Sequence, residues 1–224
     1  MKVDKIVQIA IADDHSMIRD GLRLLIETNE KYKISIEASN GLDLVTKLQT
    51  AETLPDICIV DLRMGPLNGY ETILVIKEKW PKIKTIVLSM YDDALLISKI
   101  ISAGASSYLF KNCGAVILLE AIGQIMKKGH YETDEIAELR NSKSSLHITD
   151  KELHFLCLCC TELTYKEMAV RMNIEPRSVD NYRDSLFDKL GKHTRTGLAV
   201  FATTTGLVNL SVDYMVNNNM LDNI

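Results

Sequence analysis

Five positions carry groups whose types and spacing could do chemistry together: the pair Asp13-Asp14, then Asp61, Ser89 and Lys111. Each stands at the end of a short apolar run. Three carboxylates drawn to one place repel each other unless a divalent cation lies among them, and Mg²⁺ favours such hard oxygen ligands. A lysine and a hydroxyl at the same edge can hold phosphoryl oxygens. The set suits phosphoryl transfer to a carboxylate. A single Asp after a strand is ordinarily a helix cap or turn residue. The argument therefore rests on five compatible groups at four strand ends.

The elements that must position them are legible in residues 1–129. Apolar runs rich in β-branched residues occur at 6–12, 34–38, 57–60, 85–88 and 107–110. Between them lie segments of helical period. Met17, Leu22, Leu25 and Ile26 mark the first, and Leu42, Leu44, Val45 and Leu48 the second. The third carries Ile73, Leu74 and Ile76, the fourth Leu95, Leu96, Ile100 and Ile101, and the fifth Val116, Leu119, Ile122 and Met126. Strict alternation of strand and helix predicts an α/β fold, a five-stranded parallel sheet with helices on both faces. In an open parallel sheet, ligands gather beyond the carboxyl ends of the strands, where the five groups stand.

Composition narrows the class. The 224 residues are 46% hydrophobic and 25% charged, ordinary values for a globular protein of one or two domains. No run approaches 18 apolar residues, so no transmembrane helix is expected. The first residues are weakly basic and then apolar, but Gln8 and Asp13-Asp14 interrupt too soon for a signal peptide, and a buried strand is expected there. Five cysteines without an export signal point to a reducing cytoplasm. The net charge is −4, so a nucleic-acid role cannot rest on net charge.

Beyond residue 129 the pattern changes. Residues 130–147 read as a linker or partly helical connector. Residues 148–210 read as all-helical, and 211–224 as a frayed tail. Thr149 and Thr164 each precede a helical segment with Glu152 and Glu167 three residues on, the spacing of a capping box. A third helix begins at Glu175-Pro176, where proline suits a first turn, and a fourth follows Thr194. Residues 164–172, 173–176 and 177–183 read as helix, tight turn, helix, the arrangement whose second helix enters the DNA major groove. On that helix Val179, Tyr182, Leu186 and Leu190 form an apolar stripe, which packs inward whatever the function. Cys157 and Cys160 have C-x-x-C spacing, but without a second pair they read as core thiols. His15 reads as a loop residue, and the lone Trp80 as helix-end packing.

The motifs reach two families. Ala12-Asp13-Asp14-His15, Val60-Asp61-Leu62-Arg63-Met64, Ser89-Met90-Tyr91-Asp92-Asp93 and the stretch from Gly104 to Lys111 resemble a response-regulator receiver domain of flavodoxin-like fold. The resemblance implies that Asp61 accepts a phosphoryl group from a sensor histidine kinase. It implies that Asp13, Asp14, Asp61 and the backbone carbonyl of Arg63 bind Mg²⁺, and that Lys111 pairs with the phosphoryl group. Ser89 and Tyr108 would form the switch, the hydroxyl moving to the phosphoryl oxygen and the ring turning inward. One departure is visible: Met64-Gly65-Pro66 stands where the family usually has Met-Pro-Gly.

The second part, with Leu153, Leu156, Lys189-Leu190-Gly191 and Gly206-Leu207-Val208, resembles the four-helix helix-turn-helix domain of NarL/FixJ (LuxR-type) regulators. That implies a two-component transcription factor that binds double-stranded DNA as a phosphorylated homodimer. The expected DNA-facing residues are Thr164, Lys166, Arg177, Ser178, Asp180, Asn181, Arg183, Asp184, Lys189, Lys192 and Arg195. Members of the family often place lysine early on the third helix, where this chain has Asp180, with Asp184 on the same face. These acids motivate a different class of reading, a receiver that serves only protein interactions beside an output domain that no longer binds DNA. A Mg²⁺-dependent phosphatase with Asp61 as nucleophile is a weaker alternative, because such enzymes often carry a second acid where this chain has Arg63.

Overall fold

The computed structural model describes residues 6–142, 148–204 and 208. Part of the expected connector (143–147), Gly206-Leu207 and the expected tail (211–224) lie outside the described residues. The chain divides into two compact units, Met1–Lys143 and Ser144–Ile224.

The first unit alternates strictly: β1 (Val7–Ala12), α1 (Ser16–Ile26), β2 (Tyr32–Ala38), α2 (Gly41–Thr50), β3 (Ile57–Asp61), α3 (Gly69–Lys79), β4 (Lys84–Ser89), α4 (Ala94–Ser102), β5 (Ser107–Phe110) and α5 (Ala115–Lys128). The sheet order is β2-β1-β3-β4-β5 and every pairing is parallel. Successive side chains of a strand point to opposite faces. One face therefore packs Ile9, Ile11, Ile57, Ile59, Ile86, Leu88 and Leu109 against Ile26 of α1 and Leu118, Ile122 and Ile125 of α5. The other packs Ala10, Ala12, Cys58 and Val60 against Leu44 and Leu48 of α2 and Ile76 of α3. Burial on both faces explains the near-continuous apolar runs. The order reverses between β1 and β3, so the carboxyl ends of these two strands flank the crevice where ligands of such sheets bind.

A further helix, α6 (Asp134–Ser142), belongs to the first unit and packs on α4. The stretch expected as connector is thus in part a structured piece of this unit. Tyr131 pins its start, packing on the core and donating its N–H to the Ser106 carbonyl at 3.0 Å.

The second unit holds α7 (Asp150–Cys159), α8 (Tyr165–Arg171), α9 (Pro176–Leu190) and α10 (Arg195–Thr204). Thr149 with Glu152 and Thr164 with Glu167 form full capping boxes, and Pro176 opens α9. Phe155, Leu156, Met168, Val179, Leu186, Leu198 and Ala202 make its core. The turn between α8 and α9 passes through Asn173 at φ 52°, a left-handed conformation that Asn tolerates. Gly191 at φ 60° ends α9 in the same region.

Candidate functional site

At the carboxyl edge of the sheet, Asp13 follows β1, Asp61 ends β3, Ser89 ends β4, and Lys111 follows β5. Asp13, Asp61 and Ser89 are all buried. The Lys111 ammonium lies 2.8 Å from Asp13 Oδ2 and 2.9 Å from Asp61 Oδ2. Two buried carboxylates thus share one ammonium. Burial pushes the Asp61 carboxyl above the usual aspartate range, Lys111 pulls it back in part, and the Asp13 charge adds to the rise. Burial pulls Lys111 down, but its hydrogen bonds to Asp13 and Asp61 outweigh this and leave it raised. An open cleft of about 440 Å³ lies over the pair, lined by Asp14, His15, Asp61, Arg63, Ser89, Tyr91 and Lys111 among others.

The donor chemistry fits a hard divalent cation. Asp13, Asp14, Asp61 and His15 each offer a ligand atom, all within 4.8 Å of one another. Three carboxylates face a single lysine, leaving an excess of negative charge that a cation offsets. His15, expected as a loop residue, is closer to the chemistry than that reading implied. Its Nδ1 lies 2.7 Å from Asp14 Oδ1 and 3.2 Å from Asp13 Oδ1.

The loop after Asp61 is set by close backbone approach. A Cβ at residue 69 would come within 2.4 Å of the Asp61 carbonyl oxygen, so Gly69 is required there. The transposed Gly65-Pro66 has a visible geometry. Gly65 faces open space at its Cβ position, and the left-handed residue of the loop is Leu67 at φ 66°.

Ser89 and Tyr108 are joined through the β4–α4 loop. The Ser89 hydroxyl oxygen accepts the Tyr91 N–H at 3.2 Å. The Tyr108 phenol donates to the Tyr91 carbonyl at 2.8 Å. The Tyr108 ring is fully buried, edge-on to Phe110, and burial pushes its phenol up. The inward position expected to follow phosphorylation is therefore already filled in this structure.

In the second unit the expected DNA-facing residues separate into groups. Arg177, Asn181 and Asp184 are exposed on one face of α9, opposite Val179 and Leu186. Lys166 is exposed on α8, and Ser178 and Asp180 are half-buried. Arg183 lies between the two acids, 2.7 Å from Asp180 Oδ1 and 2.8 Å from Asp184 Oδ1. Lys192 places its ammonium over the Phe201 ring at 5.9 Å.

Two of the expected phosphate contacts are engaged elsewhere. Lys189 turns inward, with its ammonium 2.7 and 2.8 Å from the two oxygens of buried Glu152. Arg195 donates to the carbonyls of Leu158, Cys159, Thr161 and Leu163, clamping the end of α7 and the loop to α8. At the start of α8 the capping box takes the N–H groups of Thr164 and Glu167, and those of Tyr165 and Lys166 lie between them.

Glu152 itself went unnoticed in the sequence beyond its capping role. Its Oε1 also accepts from Ser185 at 2.6 Å. Burial works against its charge, but Lys189, Ser185 and Thr149 outweigh this and hold its pKa at about 2. The only sequence signal was Ser185 and Lys189 four apart on one helix face, too common a spacing to single out. The cysteines are packing residues: Cys160 Sγ contacts the Leu156 and Ala199 carbonyls, and burial pushes the Cys159 thiol up to about 12.

Comparison with known proteins places these features. Residues 9–123 match the response regulator receiver domain, and residues 146–202 match the luxR family of bacterial regulatory proteins. The transcriptional regulatory protein YdfI of Bacillus subtilis is 29% identical over 212 residues, covering 91% of this chain and 98% of YdfI. The response regulator UvrY of Escherichia coli is 26% identical, covering 91% of this chain and 96% of UvrY. Among solved structures, RcsB of Salmonella enterica serovar Typhimurium, bound to a promoter in the presence of a phosphomimetic, superposes with a TM-score of 0.69. It is 21% identical and covers 91% of this chain and all of that one. Among the described residues no helix is long and apolar enough to cross a membrane. A receiver unit with an acidic crevice, followed by a luxR-type helical unit over nearly the whole length of such relatives, makes this chain a NarL/FixJ-type response regulator, a DNA-binding transcription regulator of the two-component class.

Proposed function

We propose that Asp61 is the phosphoryl acceptor and that its modification controls DNA binding by the second unit. One observation carries the reading: Asp61 is a buried carboxylate at the crevice edge, 2.9 Å from an ammonium that it shares with Asp13. A sensor histidine kinase supplies the group as a phosphohistidine. One Asp61 oxygen bonds to phosphorus as the P–N bond breaks, and the imidazole leaves with the electron pair and takes a proton from solvent. Asp13, Asp14, Asp61 and the Arg63 carbonyl would hold Mg²⁺, which when bound offsets the charge gathered between the acids and the phosphoryl group. Lys111 lies close enough to pass from the carboxylates to a phosphoryl oxygen. The same site hydrolyses the acyl phosphate slowly, and no other turnover is assigned to it.

Ser89 is the reporter. Its oxygen accepts from Tyr91, and its hydroxyl can turn its hydrogen to a phosphoryl oxygen. Fixing Ser89 fixes the Tyr91 carbonyl and with it the inward Tyr108, so phosphorylation acts by population shift rather than by creating a new state. The phosphorylated chain forms a homodimer in the cytoplasm and binds paired half-sites of double-stranded DNA. Exposed Arg177, Asn181 and Lys166, with Ser178 beside Arg177 and Lys192 beyond the end of α9, form the DNA-facing set. The Asp180 and Asp184 charges, which favoured an interaction-only output domain, are neutralised in part by Arg183. Incubation with acetyl phosphate and Mg²⁺ tests the acceptor. Wild type gains one phosphoryl group by intact-mass measurement and Asp61→Asn gains none; equal incorporation in the variant assigns the acceptor elsewhere.

A further inference from the structure

The pole of the first unit opposite the crevice holds a second cavity. It lies at the amino ends of β3 and β4, between the approach to β3 (54–56), the α3–β4 turn (79–84) and the last turn of α5. Its volume is about 470 Å³, within the range of small-molecule sites. Buried Ile83 and Ile125 line it, and they belong to the cores on opposite faces of the sheet. Leu54 and Met126 stand on its walls, 41% and 39% exposed. Trp80, the only tryptophan, packs on the core and also lines this cavity. Its backbone N–H donates to the Ile76 carbonyl at 2.8 Å, whereas its indole N–H has no hydrogen-bond partner among the described residues.

The rim is basic. Lys79, Lys82 and Lys84 line the cavity, and among the described residues no carboxylate lies within ion-pair distance of any of them. Asp56 is the one acid among the described lining residues, and its Oδ2 already accepts the Gln8 N–H at 2.9 Å. The Lys84 ammonium lies beside Gly129, where the carboxyl end of α5 offsets part of its charge. Lys79 and Lys82 are exposed, and lysine stems can cover apolar surface while their heads stay in water. A neutral apolar ligand would leave these charges unused, and a wholly polar anion would leave the walls wet. A protein partner buries roughly 800 Å² per side, whereas Leu54, Trp80 and Met126 enclose a recess rather than form such a face.

We infer that this cavity binds an amphiphilic monoanion, a medium-chain aliphatic carboxylate. Its chain lies among Leu54, Trp80 and Met126, and its carboxylate meets Lys79 and Lys82. The indole N–H of Trp80 is a further donor in the lining. A bound chain adds apolar burial at a point where the cores of both sheet faces meet, so binding stabilises the first unit by mass action. No residue of this cavity belongs to the crevice that holds Asp61. The inference therefore stands apart from the phosphoryl reading.

The test is titration of the full-length chain with octanoate, read by Trp80 emission. A saturable change is expected, with half-saturation on the order of 0.1–1 mM, the range that a ligand of this size reaches. Octanol, of the same length without the charge, should bind roughly tenfold more weakly, since each ammonium contributes modestly at an exposed rim. Lys79→Gln combined with Lys82→Gln should weaken octanoate by about tenfold and leave octanol unchanged. Met126→Glu, at an exposed position, should weaken both. Octanoate should also raise the Tm of the first unit, in wild type and in Asp61→Asn alike. An emission change that never saturates, or no change in either emission or Tm, overturns the proposal. So does equal affinity for octanol, or octanoate binding that is indifferent to both lysines.

Discussion

The two units each bury a carboxylate against a lysine, and they do so to opposite effect. In the second unit Glu152 receives Lys189, Ser185 and both capping groups of Thr149, and its pKa falls to about 2. In the first unit Asp61 and Asp13 divide one ammonium, and the Asp61 carboxyl rises. The same residue types thus build a satisfied pair in one place and an unsatisfied one in the other. A satisfied pair holds helices together. An unsatisfied carboxylate at an open cleft is left with charge to share with an incoming group, which is where perturbed groups tend to mark function.

The sharpest way to break the comparison is Lys189→Ala, which strands Glu152 in the interior. Loss of one partner of a buried pair costs about 3–5 kcal/mol, so the second unit should melt far earlier in denaturant while the first is unchanged. A loss below about 1 kcal/mol would mean that Glu152 reaches water. Acid supplies the next largest effect. Because the folded pKa of Glu152 is depressed, its contribution is complete above the unfolded value near 4.5 and is lost as pH falls toward 2. Over that window the second unit should lose on the order of 3 kcal/mol, and Glu152→Gln should flatten the limb.

For Asp61 the sign reverses. A raised folded pKa means that the ionised group costs stability, and the cost grows as pH rises through that pKa. Asp61→Asn should therefore stabilise the first unit at neutral pH by roughly 1 kcal/mol, moving Tm up by ~2–5 °C, while abolishing phosphoryl uptake. A lower Tm would place Asp61 among the satisfied pairs. The smallest effect belongs to Arg183→Ala. Exposed pairs contribute about 0–1 kcal/mol, so folding should barely change. Affinity for random duplex should fall, because Asp180 and Asp184 then face phosphates without their cation. Unchanged binding would mean that α9 does not face DNA.

The legibility of the two units differs for a physical reason. Strand ends were readable because continuous apolar runs stop where the polar crevice begins, so Asp13, Asp61, Ser89 and Lys111 sit at visible boundaries. Capping boxes at Thr149 and Thr164 were readable because both partners lie within four residues. The inward turn of Lys189 and the carbonyl clamp of Arg195 were not, since each depends on partners more than thirty residues away. A cation on a helix looks the same in sequence whether it meets water, a phosphate or a buried glutamate. The docking of α6 was hidden likewise, because its buried anchor, Ile136, gives no periodic signal.

The all-parallel sheet has a further consequence, and it concerns time. No two of its strands can pair before a whole helix has been threaded between them. Loop closure precedes reward at every step, as it does in the second unit where α7 meets α10 across the two helices between them. Chains rich in local contacts fold orders of magnitude faster than those that wait for distant ones. The single tryptophan, Trp80, packs on the sheet core of the first unit. Its fluorescence is thus a clock for the first unit alone.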